Sequence, residues 1–211
     1  CHDDLPCMDN DDLRHGKPST HKKFGEGMGV LTGDAPLNLA FEIMLDGDRS
    51  LAHYKAVNYI AKMSGIYGMV GGQCIDIAQD EFRQKSLEEV IALNMLKTSC
   101  LFKAALVGSA VSLGANAQEI ASLELYSQKI GLIFQIVDDI LDVTSNSEVL
   151  GKNINSDIKA NKTTYLSICG MEKAKQDIDN LEIEAISAVA KYGDRAAKLI
   201  ELAKYLTNRS K

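Results

Sequence analysis

The sequence predicts an all-α protein, and three observations lead to this fold class. Only 3 of its 211 residues are Pro, aromatic residues make up 6%, and there is no Trp. Apolar residues recur at helical spacings along most of the chain,. No run shows the alternation of apolar and polar residues that is typical of a half-buried strand. We therefore predict a single domain, residues 1–211, of long packed helices.

Helix signals follow one another in the first part of the chain. Residues Gly25 to Asp46 carry a mostly apolar run, in which Pro36 suits a first helical turn,. Ser50 is positioned to cap a second helix, predicted to continue through Gln79,.

Capping patterns mark the helices that come next. Residues 86–89 form a capping box that opens a helix to about Leu113, with Gly114 as its C-cap,. Residues 116–119 offer a similar start for a helix to about Val143,. A polar stretch, residues 144–162, is predicted to be a loop. Three shorter helices are predicted after it: Thr164–Cys169, Met171–Lys191 and Asp194–Asn208.

Composition argues against several classes of function. A net charge of -6 argues against a nucleic-acid partner, which would require a basic face,. The five cysteines are odd in number and scattered, without CxxC pairs, as in a protein of a reducing compartment rather than a disulfide framework or a zinc site,. Charged or amide residues interrupt the longest apolar stretches, so no transmembrane segment is predicted,.

An unusual cluster of acids, residues 138–142 (DDILD), lies inside an apolar helical run. Each helical residue advances 100°, so Asp138 and Asp142 share a face that Gln135 extends by one turn. Neighbouring carboxylates repel one another and resist desolvation, so they need cations to stay ionised. A solvated helix face would explain a lone cluster of this type. Its apolar flanks favour instead a helix that lines a polar cavity at the centre of the bundle.

A second acidic cluster lies near the start of the chain and contains Asp3, Asp4 and Asp9. Pro6 prevents a regular helix between them, so the chain is expected to bulge and swing Asp9 back toward Asp3. Basic residues follow at once, beginning with Arg14. Carboxylate oxygens suit Mg²⁺, and Mn²⁺ is a possible substitute. Acids for metal beside bases for phosphate predict a Mg²⁺ site for a phosphorylated substrate.

These motifs together resemble the trans-isoprenyl diphosphate synthases, the farnesyl and geranylgeranyl diphosphate synthase family of polyprenyl synthetases. His2–Arg14 is similar to the first aspartate-rich motif, in the form with two extra residues, and Phe134–Asp142 is similar to the second. The other matching segments, in chain order, are Gly72–Asp76 (GQxxD), Lys97–Thr98 (KT), Gly151–Lys152 and Lys162–Tyr165. The match is collinear from residue 2 to the end of the chain.

The resemblance implies an isoprenoid-synthase helix bundle and a set of site residues. Four aspartates would hold Mg²⁺: Asp3, Asp4, Asp9 and Asp138. Asp139 and Asp142 would stand behind them, and Lys97 would join these aspartates as catalytic. The cations that would bind the substrate diphosphate are Arg14, Lys97, Lys152 and Lys162. Thr98 and Gln135 would position the substrate, and Phe134 would form a wall near the isopentenyl unit. Gln73 and Asp76 are equally consistent with structural pairing and with a substrate-side role.

The implied reaction condenses an allylic diphosphate with isopentenyl diphosphate to give a longer trans-prenyl diphosphate. Farnesyl diphosphate is the expected product, and geranylgeranyl diphosphate is the alternative. His15 stands where the family usually has a second arginine, and the family's upstream helices are missing. We therefore interpret the chain as an N-terminally truncated synthase, expected to be a cytoplasmic homodimer, with a plastid location left open. A non-catalytic subunit of a heteromeric synthase and a terpene cyclase or head-to-head condensing enzyme are the other readings.

Overall fold

A computed structural model describes residues 1–47, 50–78, 85–144 and 163–209. These residues form two compact units. The first contains residues 1–47 and 142–144, and the second contains residues 50–78, 85–141 and 163–209. Helices dominate both units, and the predicted all-α class is confirmed. The single domain and its central cavity stay predictions.

The first unit contains a short hairpin and two helices. Strands β1 (Leu13–Arg14) and β2 (Lys17–Pro18) pair antiparallel, and helices α1 (Thr20–Phe24) and α2 (Glu26–Leu45) follow. His15 and Gly16 connect the strands with positive φ values of 51° and 72°. Two positive φ values in succession are typical of the tight turns that join hairpin strands. The expectation of no strand is wrong here, because two-residue strands are too short to show a period.

Helix α2 supports the acidic segment that opens the chain. Leu5 is 5% exposed and packs on Gly29, where a Cβ atom would lie 2.9 Å from Leu5 Cδ2. The Nε2 atom of His2 lies 2.9 Å from the carbonyl oxygen of Val30. The same ring fills the space beside Gly33, where any Cβ atom would collide with it. The side chains of His2 and Leu5, which flank Asp3 and Asp4, thus both pack on α2.

The second unit is built from helices, most of which begin where the sequence predicts. They are α3 (Leu51–Ser64), α4 (Met69–Ile77), α5 (Leu87–Asn94), a π-helical turn (Met95–Ser99), α6 (Cys100–Ser112), α7 (Ala117–Thr144), α8 (Tyr165–Cys169), α9 (Met171–Ala190), a 3-10 turn (Gly193–Ala196) and α10 (Ala197–Thr207). The last three residues of α7 belong to the first unit. Ser50 caps α3, and Ser86 forms the predicted capping box with Glu89. Asn116 accepts hydrogen bonds from the Gln118 and Glu119 amides at the start of α7.

The predicted single helix from Ser50 to Gln79 is wrong, because the chain breaks between α3 and α4. Ser64 turns its hydroxyl back onto the carbonyl of Ile60, and Gly65 leaves the helical region with ψ of -155°. A Cβ atom on Gly68 would lie 2.0 Å from the carbonyl oxygen of Met63, so the tight turn requires glycine,. Gln79 itself lies outside the described residues.

The core of the second unit forms around α7. Ile130, Ile133 and Ile136 are completely buried, and each contributes about 1.5–3 kcal/mol of hydrophobic stabilisation,. Tyr126 is also fully buried and donates its hydroxyl hydrogen to the carbonyl of Leu199 at 2.6 Å. Burial raises the pKa of Tyr126 to about 12. The apolar side of the aspartate-bearing helix is therefore its packing face, as predicted.

One helical stretch of the described chain, Leu87–Ser112, is long and apolar enough to cross a membrane by length and composition alone. Core helices of water-soluble proteins pass the same test. Its buried residues include Val90, Leu93, Cys100 and Val107. These side chains pack inside the protein, and the prediction of no transmembrane segment stays a prediction.

Asp177 links α8 to α9 and provides a test of this packing. Tyr165 donates its hydroxyl hydrogen to Asp177 Oδ2 at 2.7 Å, and Lys173 pairs with the other oxygen. Burial disfavours the charged carboxylate, but the hydrogen bonds from Lys173 and Tyr165 outweigh it and hold the pKa of Asp177 below its ordinary value. A depressed pKa means that the ionised group stabilises the fold above the ordinary carboxyl pKa, and that this stabilisation is lost as the pH falls through the folded pKa.

We expect Asp177→Asn to lower the free energy of unfolding by about 1 kcal/mol at pH 7, the typical net contribution of such a hydrogen bond. The difference from the unsubstituted protein should shrink as the solution is acidified below the ordinary carboxyl pKa. Urea unfolding followed by circular dichroism at several pH values measures it. Asp179→Asn, on the exposed side of the same helix, is the matched control. Equal effects of the two substitutions would contradict the role of Asp177.

Candidate active site

The first acidic cluster forms a loop that returns on itself. The amide of Asp9 donates to the carbonyl oxygen of Asp3 at 2.9 Å, and that of Asp11 donates to the carbonyl of Asp4 at 3.2 Å. Asn10 takes a positive φ of 52°, a conformation that asparagine adopts more readily than most residues,. The predicted return of Asp9 toward Asp3 across the Pro6 break is therefore present.

The three aspartates of this loop differ in environment. Asp3 and Asp9 are exposed, whereas Asp4 is 3% exposed. Arg14 on β1 places its guanidinium 3.6 Å from Asp4 Oδ1 and remains about half exposed. Opposite charges at this distance attract each other, and the attraction is stronger near a buried group than in bulk water. Arg14 is thus held next to the loop by an acid of the same motif.

The acids of α7 also differ from one another. The Asp138 carboxylate is 41% exposed and forms a salt bridge with Arg209, which follows α10. The guanidinium of Arg209 lies over the ring of Phe134, 4.3 Å from its centroid. Phe134 in turn packs against Phe102, with ring centroids 5.8 Å apart and the ring planes tilted by 59°. Arg209 was not predicted as a site residue, because it belongs to no motif and lies 71 residues from Asp138.

Asp139 is 6% exposed, and both of its oxygens accept hydrogen bonds. Gln135 donates from Nε2 at 3.1 Å, and the backbone amide of Tyr165 donates at 3.1 Å. Tyr165 is the first residue of α8, so this carboxylate ties the start of α8 to α7. Asp142 is half-buried near the end of α7. The exposed Asp138 is therefore better suited to an external ligand than Asp139.

Thr98 and Gln135 are brought together as part of the same network. The hydroxyl of Thr98 donates to Gln135 Oε1 at 3.1 Å, and the amide nitrogen of Gln135 continues the chain to Asp139. Thr98 lies in the π-helical turn, and Gln135 lies on α7. Side-chain networks of this kind hold each member in one orientation.

Lys97, the neighbour of Thr98, is paired with Asp76, for which the sequence left open a structural or a substrate-side role. Its Nζ atom donates to Asp76 Oδ2 at 2.7 Å, and Lys85 Nζ lies 3.9 Å from the other oxygen. Lys85 was not predicted, because no motif contains it. Lys152 and Lys162, the remaining predicted cations, lie outside the described residues.

The donor set has the chemistry that Mg²⁺ requires, although the described residues bring no three acids, His or Cys side chains together as a closed metal cage. Mg²⁺ keeps several waters and takes one or two carboxylates together with substrate phosphates. In the first unit the exposed carboxylates of Asp3 and Asp9 match that requirement. In the second unit the partly exposed carboxylate of Asp138 does so as well. All five cysteines are free thiols.

Comparisons with known proteins agree with these features. The family model described as polyprenyl synthetase matches residues 1–203. A chloroplastic geranylgeranyl pyrophosphate synthase of Catharanthus roseus is 41% identical over 99% of this chain and 59% of its own length. The large subunit 1 of a heterodimeric geranylgeranyl pyrophosphate synthase of Arabidopsis thaliana is 42% identical over 99% of this chain and 58% of its own length.

Solved structures also resemble this chain over nearly its whole length. An FPP/GFPP synthase from Zymomonas mobilis superposes with a TM-score of 0.86 at 37% identity, covering 97% of this chain and 70% of the other. A geranyltransferase from Helicobacter pylori, complexed with magnesium and isoprenyl diphosphate, gives a TM-score of 0.84 at 32% identity, covering 98% and 68%.

The chain spans about three fifths of the length of the curated relatives that it matches. Within that span the match is continuous, and it includes both aspartate-rich segments. The chain belongs to the polyprenyl synthetase family.

Proposed function

We propose that this protein is a Mg²⁺-dependent prenyltransferase that condenses an allylic diphosphate with isopentenyl diphosphate. The observation that carries the proposal is that a chain matching the family model over residues 1–203 retains both aspartate-rich motifs, with exposed carboxylates in the first and the partly exposed Asp138 in the second. If the acids formed only a solvated surface, the chain would not require the Lys97–Thr98 pair or the hydrogen bond from Thr98 to Gln135.

In this proposal the metal ligands are Asp3, Asp4, Asp9 and Asp138. When bound, Mg²⁺ supplies positive charge that stabilises the departing diphosphate. Asp4 is the most buried of the four and is already paired with Arg14, so it orients that arginine as well as the loop. Asp139 and Asp142 support α7, and the hydrogen bonds of Asp139 favour a positioning role for it.

The cationic and polar side chains of the protein would then act on the substrate. Arg14 and Lys97 bind diphosphate oxygens, and Lys152 and Lys162 are proposed to add further charge. Departure of the diphosphate leaves an allylic cation, which the double bond of isopentenyl diphosphate attacks before a proton is lost. Thr98 and Gln135 hold the reacting end in place. Phe134 excludes water, which would quench the cation.

The proposed product is geranylgeranyl diphosphate, the alternative reading of the sequence, rather than farnesyl diphosphate. The relatives at 41–42% identity that span nearly the whole chain bear geranylgeranyl names, and this favours the longer product. Their chloroplastic labels likewise favour a plastid over the cytoplasm. A homodimer remains the proposed assembly, while the heterodimeric large-subunit relative makes a heteromer the competing one.

The test is to incubate the full-length protein with dimethylallyl diphosphate, isopentenyl diphosphate and Mg²⁺, and to identify the products by mass spectrometry. We expect a linear diphosphate of twenty carbons. Fifteen carbons would restore the farnesyl reading. Cyclic or head-to-head products would support the cyclase class, and no turnover alone but turnover with a partner subunit would support the heteromeric reading.

A further inference from the structure

Two residues of helix α4, one turn apart, lie against the same residue, Lys97, of the π-helical turn. These residues are Gly72 and Asp76, the first and last of the GQxxD segment. A Cβ atom on Gly72 would lie 2.4 Å from the backbone nitrogen of Lys97 and 2.8 Å from its Cα atom. Because those atoms are backbone, they cannot move aside cheaply. Glycine is thus required for α4 to lie directly against the backbone of Lys97.

Asp76 contacts the other end of the same lysine. Its Oδ2 atom accepts a hydrogen bond from Lys97 Nζ at 2.7 Å, and its side chain is only 12% exposed. Lys85 places a second ammonium group 3.9 Å from Oδ1 and is 15% exposed. Both lysine side chains end in an ammonium group, so the Asp76 carboxylate can orient each of them by charge attraction in a partly desolvated place,.

The backbone around Lys97 is itself unusual. Residues Met95–Ser99 form a π-helical turn between α5 and α6. Single π-turns inside a longer helix cost regular hydrogen bonding and are found mostly at functional sites. A flexible lysine in such a turn would sample many rotamers unless a partner held it.

We propose that Asp76 is a positioning residue that holds the ammonium of Lys97 ready for the diphosphate of the substrate. The inference rests on the proposed function and deepens it, because it assigns the orientation of the Lys97 ammonium to Asp76. One N–H of the ammonium is donated to Asp76, which leaves two of its three for phosphate oxygens,. Gly72 places the lysine backbone, and Asp76 places its charge.

A double-mutant cycle with Asp76→Asn and Lys97→Gln tests this inference. We expect Asp76→Asn to lower kcat/KM for the allylic diphosphate by about tenfold or more, because misplaced binding groups cost catalysis heavily. In the Lys97→Gln background, the same substitution should cost no further loss. A residue that only stabilised the fold would cost the same factor in both backgrounds, and that result would overturn the proposal. If Asp76→Asn does not fold, Asp76→Glu, which keeps the charge but shifts it, replaces it in the cycle.

Calorimetric binding of inorganic pyrophosphate with Mg²⁺ runs the same cycle without turnover. Asp76→Asn should weaken binding about three- to tenfold when Lys97 is present, because the unanchored lysine loses more rotamer freedom on binding. It should have no effect when Lys97 is Gln. Glu184→Gln, which removes the partner of Lys129 in a more exposed ion pair, is the control expected to change neither readout.

The two readouts separate failure of this inference from failure of the proposed function. Pyrophosphate binding that depends on the Asp76–Lys97 pair, without any prenyl product, would support the positioning role and reject the prenyltransferase. If a prenyl product formed but Asp76→Asn lowered kcat/KM by the same factor in both backgrounds, the result would support the prenyltransferase and reject the positioning role. Absence of pyrophosphate binding would overturn the inference.

Discussion

Asp138→Asn is expected to reduce turnover of allylic and isopentenyl diphosphates by a factor of at least about 100, the range seen when a group that stabilises developing charge is lost. The substitution keeps the size of the side chain and removes its charge. Asp138 is 41% exposed, but its partner Arg209 is only 14% exposed, so the unfolding midpoint is expected to fall while circular dichroism at room temperature still shows a folded protein,. Steady-state kinetics over a range of Mg²⁺ concentrations measures the effect.

The matched control for this prediction is Glu201→Gln. Glu201 carries a carboxylate on α10 in the same unit and forms an exposed ion pair with Lys198. Exposed pairs of this kind contribute about 0–1 kcal/mol, so neither turnover nor stability should change much. If Asp138→Asn kept turnover within a few-fold of the control, the assignment of Asp138 as a metal ligand would be wrong.

A combined variant extends the test to the first motif. If Asp3 and Asp138 serve the same reaction step, the double substitution Asp3→Asn with Asp138→Asn should be little worse than the more damaging single one. Groups that act as one catalytic unit show this strong non-additivity. Multiplied losses would indicate that the two motifs act independently.

Gly131→Ala should destabilise the protein by about 1–3 kcal/mol, the usual cost of overpacking a close contact. The new Cβ atom would lie 2.3 Å from Ser99 Oγ and 2.6 Å from Ser99 Cα. Ser99 is completely buried at the end of the π-helical turn, so its side chain cannot move aside to make room for the new methyl group. Helix α7 would have to withdraw from the turn that carries Thr98. The hydrogen bond from Thr98 to Gln135 should weaken with it.

Gly27→Ala is the control for this second prediction. Gly27 also lies in a helix, α2, but a Cβ atom there would meet nothing within 4 Å. Alanine in a helix is favoured over glycine by up to about 1 kcal/mol, so this variant should be as stable as the unsubstituted protein or more so. Thermal unfolding of both variants measures the difference. Equal stability of Gly131→Ala and Gly27→Ala would contradict the close packing of α7 on the π-helical turn.

The predicted helix starts were correct where a capping side chain sets them, whereas Pro36, which was expected in a first turn, lies inside α2. Ser50, Ser86 and Asn116 cap helices at the expected places, because a side-chain oxygen acts on amides only two or three residues away. Gly114 takes the positive φ of 78° expected just after a helix. The break between α3 and α4 was missed, since apolar periodicity continues across Gly65 and Gly68 and hides the turn.

In the candidate site, too, some residues could be predicted from the sequence and others could not. The resemblance selected both acidic motifs and the Lys97–Thr98 pair, and the return of Asp9 toward Asp3 followed from Pro6. Arg209 and Lys85 could not be selected, because single basic residues outside a motif carry no distinguishing signal. Lys152 and Lys162 lie outside the described residues, so their roles stay predictions.

The amino-acid sequence determined the helical class and the family, and it supplied the predicted metal and phosphate ligands, because these depend on residue type and local spacing. Only the tertiary structure decided which partner each of those residues has. Asp76 meets Lys97 over 21 residues, Asp139 meets the amide of Tyr165 over 26, and Asp138 meets Arg209 over 71. Such pairs depend on how helices pack, through contacts like those of Gly72 and Gly131, and no local rule of sequence contains that information.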